Sequence, residues 1–434
     1  MTFIQILCKL KSMNYKKMLS AGKRTVLANI FSLSTLQGIN YVLPLIVLPY
    51  LIRVIGPAKF GLIAFSQALI QYFMILTDYG FSLTATRNIS LCRTHKEKMC
   101  DVFSSVMTVK SILTALSFII LILIVRFIPK FRQDWLIYVI SFGAVIGTTL
   151  FPVWFFQGHE KMKYISMINI NGGIIYAICI FAFVRKPADF MLVPLLNSLF
   201  FLITGLLGLF VAFRKFELTF IRQTYADIKE ELRTGWDIFI SIVAINAYTS
   251  TRVFAVGLLT NNILTGYYAV AERIANAIQT FPLDAFSQAL YPRFSKIFTR
   301  SRKRAARIMQ TVQTSFIFAY LVVIPLAYYS APWITRIACG VAYPEVIITL
   351  QLLLLAVFCI IANAFRVQFL LVCGKPEIYS RIHVIAAVIG LPLIFLLIHY
   401  FSYAGAALST IILEVGIYLA TFEIIRKLSK KHYA

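Results

Sequence analysis

Apolar residues run along this chain in stretches of about 18 or more, interrupted by short charged loops from end to end. At about 1.5 Å rise per residue, roughly 20 apolar residues in a helix cross the ~30 Å hydrocarbon layer of a bilayer. The runs predict helical spans over 26–51, 60–84, 102–125, 135–156, 165–184 and 190–213. A second set follows over 236–258, 263–291, 308–330, 346–372, 382–400 and 404–425. The pattern is that of an all-α polytopic membrane protein with about twelve transmembrane helices in two sets of six. The longest polar connection, Arg214 to Gly235, mixes acidic and basic residues at helical spacing. It reads either as an interfacial helix or as a solvated linker between the halves. This divides the chain into a basic N-terminus (1–25), an N-terminal lobe (26–213), a linker (214–235), a C-terminal lobe (236–425) and a basic tail (426–434).

The halves echo each other. Gly61, Ala64 and Gln67 in the second span match Gly266, Ala269 and Glu272 in the eighth at a constant offset. Gly158 and Tyr164 follow the fourth span much as Gly374 and Tyr379 follow the tenth. With an even number of spans per half, such repeats are parallel and related by an axis along the membrane normal.

Composition reinforces the membrane assignment: 60% of residues are hydrophobic, 14% are charged and the mean hydropathy is +0.81, beyond what a soluble domain carries. The net charge of +25 would suggest a nucleic-acid partner in a soluble protein, but its distribution says otherwise. Of the 42 Lys and Arg, 30 fall in alternate connections together with the termini, 8 in the opposite loops and four inside spans. That bias predicts both termini in the cytoplasm and basic loops against an anionic lipid leaflet. The first 25 residues hold Lys9, Lys11, Lys16, Lys17, Lys23 and Arg24 but no small-residue cleavage site, so no cleaved signal is expected; Met13 is a second candidate start. Seven Cys without a Cys-x-x-Cys pair and five His without ligand spacing support neither disulfides nor a metal, and no cofactor is expected.

No paired carboxylates, activated nucleophile or metal cluster marks the chain as an enzyme. The largest external loop, Ser330 to Glu345, is short for a polymerase or transferase site. What stands out is a set of ionisable groups inside spans: four cations, Lys110, Arg252, Arg273 and Arg366, and four anions, Asp78, Glu272, Asp284 and Glu414. Each costs about 2.5–3.5 kcal/mol at a helix centre, so each needs a partner or a wet cavity. Cations at several depths suit a phosphate-bearing substrate, because guanidinium groups grip phosphate oxygens in a bidentate fork. The same charges also suit helix-to-helix ion pairs. Glu272 and Arg273 are sequence neighbours, about 100° apart on a helix, so they cannot simply neutralise each other. Glu272 and Glu414, near mid-membrane, are candidates for proton or sodium coupling. Asp78 suits local pairing with Arg87 or Lys110. Gln37, Asn40, Pro44 and Pro49 in the first span, Gln67 and Gln71 in the second, and Pro282, Pro325 and Pro392 later make polar, bendable helices suited to a rocking transporter.

The run Asn29, Gln37, Gly38, Asn40, Tyr41, Pro44, Pro49, Tyr50, Arg53, Gly56 and Pro57 carries a resemblance, as does Phe60, Gly61, Ala64, Gln67, Asp78, Tyr79, Gly80 and Arg87 after it. So does the later set Gly266, Tyr267, Tyr268, Ala269, Glu272, Arg273, Pro282, Tyr291 and Pro292. In these residues the chain resembles the bacterial O-antigen flippases of the polysaccharide transporter family, within the superfamily of multidrug and toxin extrusion transporters. The resemblance implies two six-helix lobes around a central cavity. It implies that the substrate is an undecaprenyl-pyrophosphate-linked oligosaccharide repeat unit, moved from the cytoplasmic to the periplasmic leaflet in lipopolysaccharide biosynthesis. A polysaccharide polymerase and a chain-length regulator are the expected partners. The family's cationic cavity falls best on Arg252 and Arg273, then on Arg366. Drug-extruding relatives place acidic and amide groups in the first lobe, where this chain has only Asp78 deep in a span. A drug or cation antiporter and a membrane-embedded polymerase are the rival readings.

Overall fold

The computed structural model describes the backbone at residues 21–300, 302–372 and 376–433. It describes side chains at 43–280, 283, 308, 310–364, 366, 377–378 and 380–426. Residues 1–20 with Met13, residue Gly374, and the side chains of Lys23, Arg24, Gln37, Asn40, Pro282, Asp284, Tyr291 and Tyr379 lie outside what is described.

The described chain is helical along almost its whole length. In order the helices are α1 (Ala21–Asp78), α2 (Phe81–Cys92), α3 (Lys96–Phe127), α4 (Pro129–Arg132), α5 (Trp135–Leu150), α6 (Val153–Gly158), α7 (Met162–Phe183) and α8 (Leu192–Phe216). The second half holds α9 (Tyr225–Thr249), α10 (Thr251–Leu259), α11 (Asn262–Arg300), α12 (Arg302–Tyr329), α13 (Ala331–Cys339), α14 (Pro344–Val372) and α15 (Pro376–Tyr433). The spans read from the sequence map onto these helices to within a few residues, the first and most of the second on α1 and the last two on α15. Among the described residues, eight helical stretches are long and apolar enough to cross a membrane, or nine if the pair α9–α10, bent by 51°, counts as one span. Two of the eight cover 50 and 47 residues, more than twice what one crossing needs.

Both of these double-length helices break where the backbone leaves helical geometry. In α1 the break is Gly56 (φ 77°, ψ 164°), followed by Pro57. Gly56 takes a left-handed φ that a Cβ would oppose, and Pro57 opens the next arm at a position where its missing N–H has no helical partner to lose. In α15 the break is Ser402 (φ 53°, ψ −138°). The arm of α1 after Gly56 is the second span, and the arm of α15 after Ser402 is the twelfth.

The linker, open between an interfacial helix and a solvated segment, resolves into two pieces. α8 ends at Phe216, and residues 217–224 form a strap without regular structure laid along α3. Lys96 pairs with Glu217 at 2.7 Å, the Ile221 N–H donates to Ser104 Oγ at 2.9 Å, and Gln223 Nε2 donates to Asp101 Oδ1 at 3.2 Å. The hydrogen bond from Lys96, and then its charge, hold the Glu217 carboxyl below its ordinary pKa. A reciprocal cap between Thr224 and Asp227 then starts α9, which continues into the seventh span. The polar sequence is helical only from Tyr225 onward because its first residues bond outward, to α3, instead of to themselves.

Helices α1–α8 belong to the predicted first lobe and α9–α15 to the predicted second. At the end that the charge distribution assigns to the outside, the lobes share one apolar core. Phe65 stacks between Phe131 of its own lobe and Phe254 of the other, each at 5.4 Å between ring centroids. Nearby, Tyr72 donates to Thr251 Oγ1 at 2.7 Å. Two cations of the first lobe seal this end by binding backbone carbonyls near helix ends in the second. Lys130 Nζ donates to the carbonyls of Leu258 (2.8 Å) and Thr260 (3.1 Å), and Arg53 donates to that of Ile337. At the opposite end a separate aromatic cluster, with Phe103, Trp154, Phe155 and Phe156 buried, belongs to the first lobe and takes in α9 through a Tyr79–Phe239 stack at 4.5 Å.

Candidate functional site

A cavity of about 340 Å³ opens in the first lobe. Its walls come from both arms of α1 and from α5, α7 and α8, and one side chain enters from the other lobe: Arg273 of α11. The apolar lining includes Pro44, Val47, Phe60, Ile63, Met74 and Phe201. The polar lining is Gln67, Gln71, Ser141, Tyr176 and Asn197. Among the described residues Arg273 is the single charged residue in this lining, and none of them brings a carboxylate to it. Amides and hydroxyls around one guanidinium suit an anionic group carrying hydroxyls, because every one of them can hydrogen-bond without adding negative charge.

Arg273 is held loosely enough to serve a ligand. Its Nη2 donates to Gln67 Oε1 at 2.8 Å, and its guanidinium lies over the Phe60 ring, 5.2 Å from the centroid. It takes part in none of the three ion pairs among the described residues, which are Arg93–Glu160, Lys96–Glu217 and Arg252–Glu272. A guanidinium has five N–H donors, so with one bond to Gln67 most of them stay free for the cavity.

The other three predicted cations are placed elsewhere. Arg252 sits inside the second lobe, its Nε 3.3 Å from Glu272 Oε1 and its Nη1 donating to Thr410 Oγ1 at 2.9 Å. Glu414 adds a second negative field there and accepts from Asn363 Nδ2 at 2.8 Å. Lys110 is 4% exposed, with Asp78 as the acidic group acting on it. Arg366 stacks on Tyr418 at 4.0 Å and Phe422 at 5.3 Å, and donates to the Tyr418 hydroxyl at 3.0 Å. Glu272 and Arg273 therefore diverge as helical spacing requires, one into the second lobe's ion pair and one into the first lobe's cavity. The structure unites Arg252, Glu272 and Glu414 in one cluster but brings neither Arg252 nor Arg366 nor Lys110 to the cavity beside Arg273. Asp284 lies outside the described side chains.

Tyr176, Ser141 and Asn197 were not singled out by sequence. Asn197 carried a signal, since it is an amide alone in the apolar run Leu192 to Phe201. Tyr176 and Ser141 carried none, because both types are ordinary in membrane helices.

Long apolar helices, with a cavity in the first lobe that admits one cation from the second, define a multi-pass membrane protein of transporter architecture. The chain belongs to the family described as "Polysaccharide biosynthesis protein", whose sequence model matches residues 26–298. It is 28% identical over 400 residues to a protein of Escherichia coli (strain K12) described as "Putative O-antigen transporter", covering 91% of this chain and 95% of the relative. Its fold matches that of the lipid II flippase MurJ in an inward closed conformation, with a TM-score of 0.73 at 12% identity, over 91% of this chain and 87% of the other. It also matches an inward-facing multidrug resistance MATE family transporter of the MOP superfamily, with a TM-score of 0.70 at 14% identity, over 89% and 96% of the two chains.

Proposed function

We propose that this protein is a flippase that carries undecaprenyl-pyrophosphate-linked O-antigen or related surface-polysaccharide repeat units from the cytoplasmic to the periplasmic leaflet of the bacterial inner membrane. The observation that carries the reading is Arg273, which takes part in no ion pair among the described residues and is presented to a cavity whose polar lining is amides and hydroxyls. The family and its O-antigen transporter relative support the substrate class. A bilayer blocks this step because a pyrophosphate and several sugars must shed water to cross. A site that replaces that water with a guanidinium and amides lowers the barrier without covalent chemistry. The polyprenyl tail stays in lipid while the lobes rock between inward-open and outward-open states. Both termini are cytoplasmic in this reading, as the basic loops indicate.

Glu272 and Glu414 are the groups we assign to proton or sodium coupling. Together with Arg252 they carry one excess negative charge when both are ionised, which a bound proton or cation would balance. Replacing each in turn by glutamine and measuring translocation with the ion gradients collapsed tests this: coupling predicts that the variant loses its response to the gradient. The cationic cavity weighs against the drug or cation antiporter, which needs fixed negative charge facing its substrate. Translocation is tested in cells lacking the protein, by following whether the lipid-linked unit reaches the periplasmic leaflet when wild type or Arg273→Ala is restored.

A further inference from the structure

Arg273 lies in a cavity otherwise built by the opposite lobe, and one hydrogen bond across the lobe boundary holds it there. We propose that Gln67 is the positioning residue for Arg273, docking the second lobe's guanidinium in the first lobe's cavity so that the anion site is complete only while the lobes are apposed. The inference rests on the flippase reading of the same cavity and adds how its charge is placed.

Three features carry it. The acceptor is an uncharged amide oxygen, 2.8 Å from Arg273 Nη2, so the contact orients the guanidinium without cancelling its charge. Phe60, on the same arm of α1 as Gln67, lies 5.2 Å from the guanidinium and confines it from its face. Gln67 and Glu272 are equivalent in the internal repeat, yet Glu272 pairs with Arg252 at 3.3 Å while Gln67 serves Arg273. A carboxylate at position 67 would convert the free cation into an ion pair like that of Arg252, and the repeat has an amide there instead. Since α1 and α11 belong to different lobes, parting them removes Arg273 from Gln67 and from the cavity. The site thus binds an anion in the closed-outside geometry and weakens as the outside opens, the direction needed for release.

The test uses the purified full-length chain in nanodiscs, with inorganic pyrophosphate and geranyl pyrophosphate as probes, titrated against wild type, Gln67→Leu, Gln67→Glu and Arg273→Ala. Arg273→Ala is expected to abolish binding. Gln67→Leu should weaken it about tenfold, and the isosteric Gln67→Glu should weaken it more, because its carboxylate competes with the probe for the guanidinium. In an Arg273→Ala background neither change at 67 should matter further. If Gln67 merely packs, the order reverses: the isostere binds like wild type and leucine is the worse of the two, which overturns the positioning role while leaving the site intact. Binding unchanged in Arg273→Ala, or absent in wild type, overturns the cationic cavity itself and the inference with it.

Discussion

Gly61 of α1 and Gly266 of α11 meet backbone to backbone across the boundary between the lobes. A Cβ on Gly61 would lie 2.6 Å from the Gly266 nitrogen, and one on Gly266 would lie 3.2 Å from the Gly61 nitrogen. The contact is reciprocal: Gly61 also faces the carbonyl of Asn262, and Gly266 that of Pro57. Gly61 and Gly266, and likewise Pro57 and Asn262, are 205 residues apart, the offset that relates the two halves of the sequence, so helices equivalent in the sequence echo pack on each other. The absence of two side chains is what allows this approach, as with small residues at other membrane helix interfaces.

Widening that contact should hold the outer end open. Gly266→Val is predicted to cut translocation about tenfold or more and to expose the cavity to the outside, since an overpacked helix contact costs about 1–3 kcal/mol, enough to shift a balanced two-state equilibrium. A cysteine placed at Ser141 in a cysteine-free chain reports the shift through labelling by a membrane-impermeant thiol reagent. Faster labelling from the periplasmic side is expected in Gly266→Val; unchanged labelling would mean that the glycines do not seal that end.

The Arg252–Glu272 pair predicts a particular pattern of stability. Glu272→Ala removes the carboxylate paired with Arg252 and should cost about 3–5 kcal/mol, whereas Arg252→Leu with Glu272→Leu should cost less than the sum of the two single changes, because the pair's opposite charges leave together and the net charge beside Glu414 is unchanged. Thermal unfolding of the purified variants in detergent measures this. Strict additivity of the two changes would count against a coupled pair.

Glu231, in the first turns of α9 and outside the spans, gives a pH dependence with a definite sign. Burial, then the charges of Glu230 and Asp101, push its carboxyl up to about 7, and its Oε2 is buried without a hydrogen-bond partner. A carboxyl raised in the folded state is destabilising once ionised. The penalty is absent below about 4.5, the ordinary glutamate value, grows as pH rises, and is complete above about 7. Glu231→Gln should therefore stabilise the protein on the order of 2 kcal/mol at pH 8 and hardly at all at pH 4.5. Unfolding measured across that range should show the two proteins converging toward acid; a constant gap would contradict the assignment.

Much of the fold was legible because span length is set by bilayer thickness and is written directly in the apolar runs. The break at Gly56-Pro57 was equally readable from its residue types, and the echo of Gly61, Ala64 and Gln67 in Gly266, Ala269 and Glu272 singled out Gly61 and Gly266. Their direct contact was not readable, because a sequence match does not say which repeated helices touch. The divergence of Glu272 and Arg273 followed from helical spacing alone. That Arg252 turns to Glu272 while Arg273 reaches Gln67 depends on how α10 and α11 are rotated against their neighbours, and the bend of 51° between α9 and α10 sets part of that rotation. The linker's charges left open whether it is a helix or a solvated strap, because the partners of its first residues, Ser104 and Asp101, lie over a hundred residues away on α3.

The most direct measurement follows the lipid-linked repeat unit in cells whose own copy is deleted and replaced by wild type, Arg273→Ala or Arg273→Lys. The cationic-cavity account predicts that the unit stays in the cytoplasmic leaflet without the protein or with the alanine variant, and that lysine, which keeps the charge, restores part of the transfer. Transfer to the periplasmic leaflet that persists without the protein, or with Arg273→Ala at the wild-type rate, would contradict it.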